Sequence, residues 1–117
     1  MATTKKEKEF VSYVVELMQS VGPVYSKGMF GGHGIFLEGL MFGLVADNVL
    51  YLKTDKQTEE DFISKQLEQF SYAKKDKIFK MNYYQAPEEA MEDADEMNRW
   101  ASTAYAVAIR ATKKKKK

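Results

Sequence analysis

At 117 residues, with seven tyrosines, seven phenylalanines and no cysteine, the chain suits a single domain with its own core. It excludes a disulfide scaffold and any cysteine-based zinc or thiol site. No apolar run approaches the ~18–20 residues that span a bilayer, and Met1 to Phe10 carries charge where a secretory signal needs its apolar core, so a cytoplasmic protein with no membrane contact is expected. The net charge of +1 is uneven: without the five lysines Lys113 to Lys117, 13 basic groups face 17 acidic ones, a net of −4. A body of that sign repels phosphate backbones except at a local patch.

Thr4-Lys5-Lys6-Glu7 has the pattern of a capping box, with Glu7 reaching back to the cap. Phe10, Tyr13, Val14, Leu17 and Val21 follow at helical spacing, predicting a first helix from about 5 to 20 that Gly22-Pro23 stops. The period then shortens. Val24 to Met29, Ile35 to Leu37, Leu40 to Ala46 and Val49 to Leu52 read as an antiparallel meander. Glu38-Gly39 and Asp47-Asn48 are its tight-turn dipeptides. In the third run Leu40, Phe42 and Leu44 alternate with Met41, Gly43 and Val45, predicting one buried face and one partly covered face.

Thr58-Glu59-Glu60-Asp61 repeats the capping pattern before a short second helix with Phe62, Ile63 and Leu67. Phe70 to Ala73 and Ile78 to Tyr84 flank Lys74-Lys75-Asp76-Lys77, a charged hairpin tip. Pro87 suits the first turn of a helix, and Asp93-Ala94-Asp95-Glu96 opens the last one. Met97, Trp100, Ala101, Ala104, Ala108 and Ala111 form its stripe. The order predicted is α-β-β-β-α-β-β-α, an α+β domain of two layers with helices on one face of an antiparallel sheet. Residues 1–112 are expected to form this one domain and 113–117 a disordered lysine tail.

The stretch Lys27 to Phe36 holds four of the seven glycines and the only histidine. A P-loop would need Lys-Ser or Lys-Thr after the glycines, and a dinucleotide fingerprint would need a helix there. The residues after Gly34 alternate like a strand instead, so no helix terminus would aim N–H groups at an anion. The glycines are therefore expected to set a backbone path between two strands. His33 has no acidic residue nearer in sequence than Glu38, and neither a second histidine nor a cysteine to share a metal. A turn or surface position is expected for it. The run Glu88 to Glu96 lacks the spacing and glycine of a calcium loop, and its acids suit two helix starts. Neither metal nor cofactor is expected.

Three segments carry a resemblance. Met29-Phe30-Gly31-Gly32-His33-Gly34-Ile35-Phe36 looks like an M-F-G-G-[YH]-G-aliphatic-aromatic signature. Gly39 to Val45 and Leu50 to Asp55 match its G-x-x-F-[AG]-L-[IV] and L-Y-[LF]-[KR]-x-[DN] segments, and Met81 to Glu89 with Trp100-Ala101 matches M-x-Y-[YW]-x-x-P-E-E…W-A. Taken in order over residues 10–111, these resemble the N-terminal domain of the TfoX/Sxy competence regulators. The resemblance implies a two-layer TfoX-N-type domain and a non-enzymatic role in regulating natural-competence (DNA transformation) gene expression. It further implies protein partners such as the cyclic-AMP receptor protein or the transcription machinery. It carries over no catalytic residue. Longer members add a helical C-terminal domain about where this chain reaches its lysines.

The candidate contact residues are Phe30, His33 and Tyr51 around the meander, and Lys113, Lys114 and Lys115 in the tail. The tail supports an alternative reading as a weak, salt-dependent nucleic-acid contact, without interleaved aromatics to stack on bases. An unpaired sheet edge offers a route to a homodimer.

Overall fold

The computed structural model describes residues 5–29 and 31–115, with backbone only for 114 and 115. In chain order the elements are α1 (Lys5–Leu17), β1 (Tyr25–Met29), β2 (Gly32–Leu37), β3 (Leu40–Ala46), β4 (Val49–Lys53), α2 (Glu59–Ile63), β5 (Gln69–Lys74), β6 (Lys77–Gln85), α3 (Glu88–Glu92) and α4 (Ala94–Lys115). The fold is the expected α+β, with one antiparallel sheet in the order β1-β2-β3-β4-β6-β5. The predicted order counted three strands before the second helix. There are four, because the segment leading into the glycines pairs with β2 along its whole length, from Tyr25 opposite Phe36 to Met29 opposite Gly32.

Three hairpin turns are built alike. Glu38 and Gly39, Asp47 and Asn48, and Lys75 and Asp76 are successive residues with positive φ, between 50° and 83°. That backbone matches the right-handed twist of the strands it joins. Two of these turns were legible as turn dipeptides, and the third as a charged tip.

A row of paired positions crosses the sheet on its inner face: Ile35 opposite Gly43, Gly43 opposite Leu52, Leu52 opposite Tyr84. Onto it pack Val11, Val14 and Met18 from α1 and its end, Phe62 from α2, Ala90 from α3, and Met97, Ala101, Ala104 and Ala108 from α4. The alanines let α4 lie close over β3 and β4. Gly43 keeps the same row shallow, since a Cβ there would stand 3.3 Å from both the Ile35 Cβ and the Tyr51 carbonyl oxygen.

The expected alternation in β3 fails at one point, and a β-bulge is the reason. Ile35 pairs with Gly43 but Phe36 with Met41, leaving Phe42 as an extra residue. A bulge resets which way successive side chains point. Phe42 and Val45 therefore both enter the core, while Leu44, buried as well, stands outside that cluster on the opposite face.

The start of α2 also differs from expectation. Thr58 makes no side-chain cap bond to the helix. The reciprocal pair lies one turn earlier: Asp55 Oδ1 accepts from the Gln57 and Thr58 N–H groups, and Thr58 Oγ1 accepts from the Asp55 N–H at 3.1 Å. α4 opens as predicted, with the Asp95 N–H donating to Asp93 Oδ1 at 2.9 Å. At its other end the helix continues through Lys115. Lysine is a good helix former, and positive charge at a C-terminus complements the helix dipole. Thr4 and residues 116 and 117 lie outside the described residues. Among those described, no helix is long and apolar enough to cross a membrane.

Candidate interaction surface

β2 does not leave His33 in a turn. The strand begins at Gly32 and places His33 opposite Val45, on the inner face. There Nδ1 lies 3.2 Å from Glu7 Oε2 of α1, and the two side chains are only 12% and 11% exposed. The expected absence of a nearby acid is thus corrected by folding, which supplies one from 26 residues upstream. Glu7 thereby ties α1 to the sheet, and Thr4, its expected cap partner, lies outside the described residues. Among the described residues no group of three or more His, Asp or Glu side chains could hold a metal. The pair is a clamp between two layers. Phe30 lies outside the described residues.

The outer face of the sheet is the one that the core helices leave. Across it run Lys27, Gly34, Leu44, Tyr51 and Gln85, each opposite the next. Gly34 has a specific task there. A Cβ on it would stand 2.7 Å from Phe36 Cε1 and 2.9 Å from Met29 Sδ, with Met41 Sδ at 3.2 Å. Flexible thioethers and a ring thus close over a bare backbone. Tyr25 stacks on Phe36 at 5.7 Å, and Lys27 Nζ stands 5.4 Å from the Phe36 ring centre. This is a cation–π arrangement.

Tyr51, a candidate from sequence, is half-buried in the middle of this face. It begins a line of rings: Tyr51 to Phe70 at 5.0 Å, Phe70 to Tyr72 at 6.2 Å, Tyr72 to Phe79 at 5.4 Å. Burial, then the charges of Glu68 and Asp47, push the Tyr51 hydroxyl above its ordinary pKa. Beside this line Tyr83 is buried, which pushes its hydroxyl up to about 12. Lys53 Nζ lies 5.1 Å from its ring centre.

The last rung between β4 and β6 is Lys53 opposite Tyr83. Beyond it β5 and β6 continue as a two-stranded arm, and every residue from Ser71 to Lys80 is exposed. α4 reaches the same end of the sheet. Arg110 donates from Nε and Nη2 to Asp55 Oδ2 at 2.9 and 2.8 Å, two residues past β4. Burial pushes the Asp55 carboxyl up, but the Arg110 hydrogen bonds and charge, with the Gln57 and Thr58 N–H groups, outweigh it and hold it below its usual range. Lys113, one turn on, is exposed. The side chains of Lys114 and Lys115 are outside the described residues. Sequence reasoning found the lysine tip and Tyr51, but not the rings that join them. The signal was present in Tyr72 and Phe79, placed symmetrically about the tip.

On the helical side, a shallow groove of about 270 Å³ runs between α2 and α4 beside Trp100. Lys65 lines it and pairs with Glu89 at 2.9 Å. The buried Trp100 Nε1 has no hydrogen-bond partner among the described residues.

The profile of the TfoX N-terminal domain family matches residues 16–108, which takes in the sheet, the arm and most of α4. The DNA transformation protein TfoX1 of Aliivibrio fischeri (strain ATCC 700601 / ES114) is 34% identical over 82 residues, 70% of this chain. Those residues are 37% of that relative, so the chain spans little more than a third of its length.

Proposed function

The chain belongs to the TfoX N-terminal domain family, and from that premise we propose that it is a regulatory module of natural competence, acting through protein–protein contact rather than catalysis. The observation that carries this reading is the helix-free outer face, with Tyr51, Tyr25, Phe36 and Leu44 on a rigid antiparallel sheet. A surface of half-exposed aromatics set on regular strands suits a protein partner, because such rings bury much area at little entropic cost. The similarity to a protein named for DNA transformation supplies the process. The partner would be the cyclic-AMP receptor protein or the transcription machinery. Tyr51 and Lys27 are the first contact residues to test, whereas His33 acts behind the surface by holding α1.

The experiment is complementation with capture. The chain, expressed in a competent bacterium lacking its own family member, should raise transformation frequency, and the purified chain should retain the receptor protein or RNA polymerase at micromolar concentration. Tyr51→Ala should weaken both. Restored transformation with no retained partner would sink the contact mechanism, and failure of both would sink the reading.

A further inference from the structure

The β5–β6 arm goes beyond this reading, because nothing in the core requires its composition. Between residues 74 and 80 stand four lysines and one aspartate, so seven residues carry +3 in a chain whose total is +1. None of these lysines is in an ion pair among the described residues. Lys74 and Lys77 face each other as a cross-strand pair. Like charges directly opposite destabilise a hairpin, and a local rule broken without compensation in the fold is a feature of functional sites.

The rings share their face. Tyr72 pairs with Phe79, and the two stack at 5.4 Å with planes 27° apart while remaining 44% and 41% exposed. Side chains alternate along a strand, so Lys74 and Lys77, each two residues from one of these rings, lie on the ring face. Phe70 and Tyr51 carry the row back onto the sheet. Rings at 5–6 Å intervals with lysines beside them offer stacking surfaces and phosphate contacts together, as non-specific single-strand binders do.

We propose that the outer face of the β5–β6 arm, with Tyr72 and Phe79 as stacking platform and Lys74 and Lys77 as phosphate contacts, binds single-stranded nucleic acid. An acidic protein could engage both rings and lysines, but ring faces at 5–6 Å intervals flanked by lysines match the alternation of base and phosphate along a single strand. An anionic membrane would also use Ile78, which points to the other side of the hairpin from Phe79. The proposed site is made of other residues than the lysine run at 113–117.

The test is fluorescence anisotropy of a labelled 20-residue oligothymidylate titrated with the full chain. Binding should weaken about 7-fold between 50 and 200 mM salt, the effect of two neutralised phosphates on a single strand. Tyr72→Ala with Phe79→Ala should weaken binding at least about 10-fold, and Lys74→Glu with Lys77→Glu should abolish it, both at unchanged circular dichroism. Deletion of 113–117 should leave most of the affinity. No binding at 100 μM protein in 50 mM salt would overturn the proposal. So would a ring variant that binds like the parent, or equal competition by polyglutamate, anionic vesicles or a duplex. Loss of binding on deleting 113–117 alone would transfer it to the tail. None of these outcomes depends on the competence reading, which is tested in cells.

Discussion

β6 passes through two environments without changing its character. Tyr83 and Tyr84 are 5% and 8% exposed, one on each face of the sheet. Five residues earlier Ile78 and Phe79 are 73% and 41% exposed, on a hairpin where every described residue from Ser71 to Lys80 is exposed. Apolar and aromatic content does not separate the two halves, although Lys77 and Lys80 stand only in the exposed one. What separates them is the neighbour: β4 and the helices flank the first half, whereas only β5 flanks the second. Burial in a strand is thus a property of the sheet around it, and an apolar residue on an unflanked hairpin signals contact with something else.

The largest test of this contrast removes a residue that everything flanks. Phe42, the bulged residue at the centre of the core, meets Tyr105 of α4 edge-on at 5.7 Å. Phe42→Ala should cost about 3–5 kcal/mol in urea denaturation. A loss under about 1 kcal/mol would mean that the core closes around the gap, and the sharp boundary between the two regions would fail.

Two glycines in one strand sharpen it next. A Cβ on Gly32 would stand 2.4 Å from the Val45 carbonyl oxygen, which cannot move without breaking the β2–β3 ladder. On Gly34 it would meet side-chain ends of Phe36, Met29 and Met41. Gly32→Ala should cost about 3 kcal/mol and Gly34→Ala about 1 kcal/mol. Equal costs would show that the side chains over Gly34 give way no more easily than the backbone over Gly32.

Much of this arrangement was legible in the sequence. Turn dipeptides at 38–39 and 47–48, the alanine stripe of α4 and the acids opening it are local signals, and each appears where local physics puts it. The misses came from pairings that no local window contains. The Phe42 bulge depends on how β2 registers with β3. The His33–Glu7 clamp joins positions 26 apart. The Asp55–Thr58 box is reinforced by Arg110, 55 residues further on. For the candidate surface, the lysine tip was readable, but the ring line from Tyr51 to Phe79 exists only because β4, β5 and β6 are neighbours in the order β4-β6-β5.

Tyr83 tests the buried half of β6 by pH. Its pKa of about 12 in the folded state exceeds the ordinary 10 because burial disfavours the phenolate. The unfolded chain therefore loses this proton first. The stability tied to Tyr83 is whole below pH about 10 and falls as pH climbs toward 12, by roughly 2 kcal/mol in total. Absorbance at 295 nm should show one tyrosine titrating near 12, lost in Tyr83→Phe. Asp55 works in the opposite direction at the arm's root. Its lowered pKa makes its contribution whole above pH about 4 and lost as pH falls through the folded value. Asp55→Ala should cost about 1–2 kcal/mol by removing the cap, and should flatten that part of the acid profile.

The smallest effect is the one on which the contrast finally rests. Phe79→Ala and Ile78→Ser alter large apolar residues in a nine-residue strand, and in the buried half such changes would cost several kcal/mol. In the arm Ile78→Ser should change stability by no more than about 0.5 kcal/mol, and Phe79→Ala by no more than about 1 kcal/mol, the worth of its cross-strand pair with Tyr72. Urea midpoints with unchanged slopes would check this. A cost above about 1.5 kcal/mol would mean that the arm is a structural brace, and its exposed rings and opposed lysines would then need no ligand to explain them. Near-neutrality would leave those residues without a structural reason to be apolar, aromatic and like-charged on one hairpin, so that their reason must lie in what the hairpin meets.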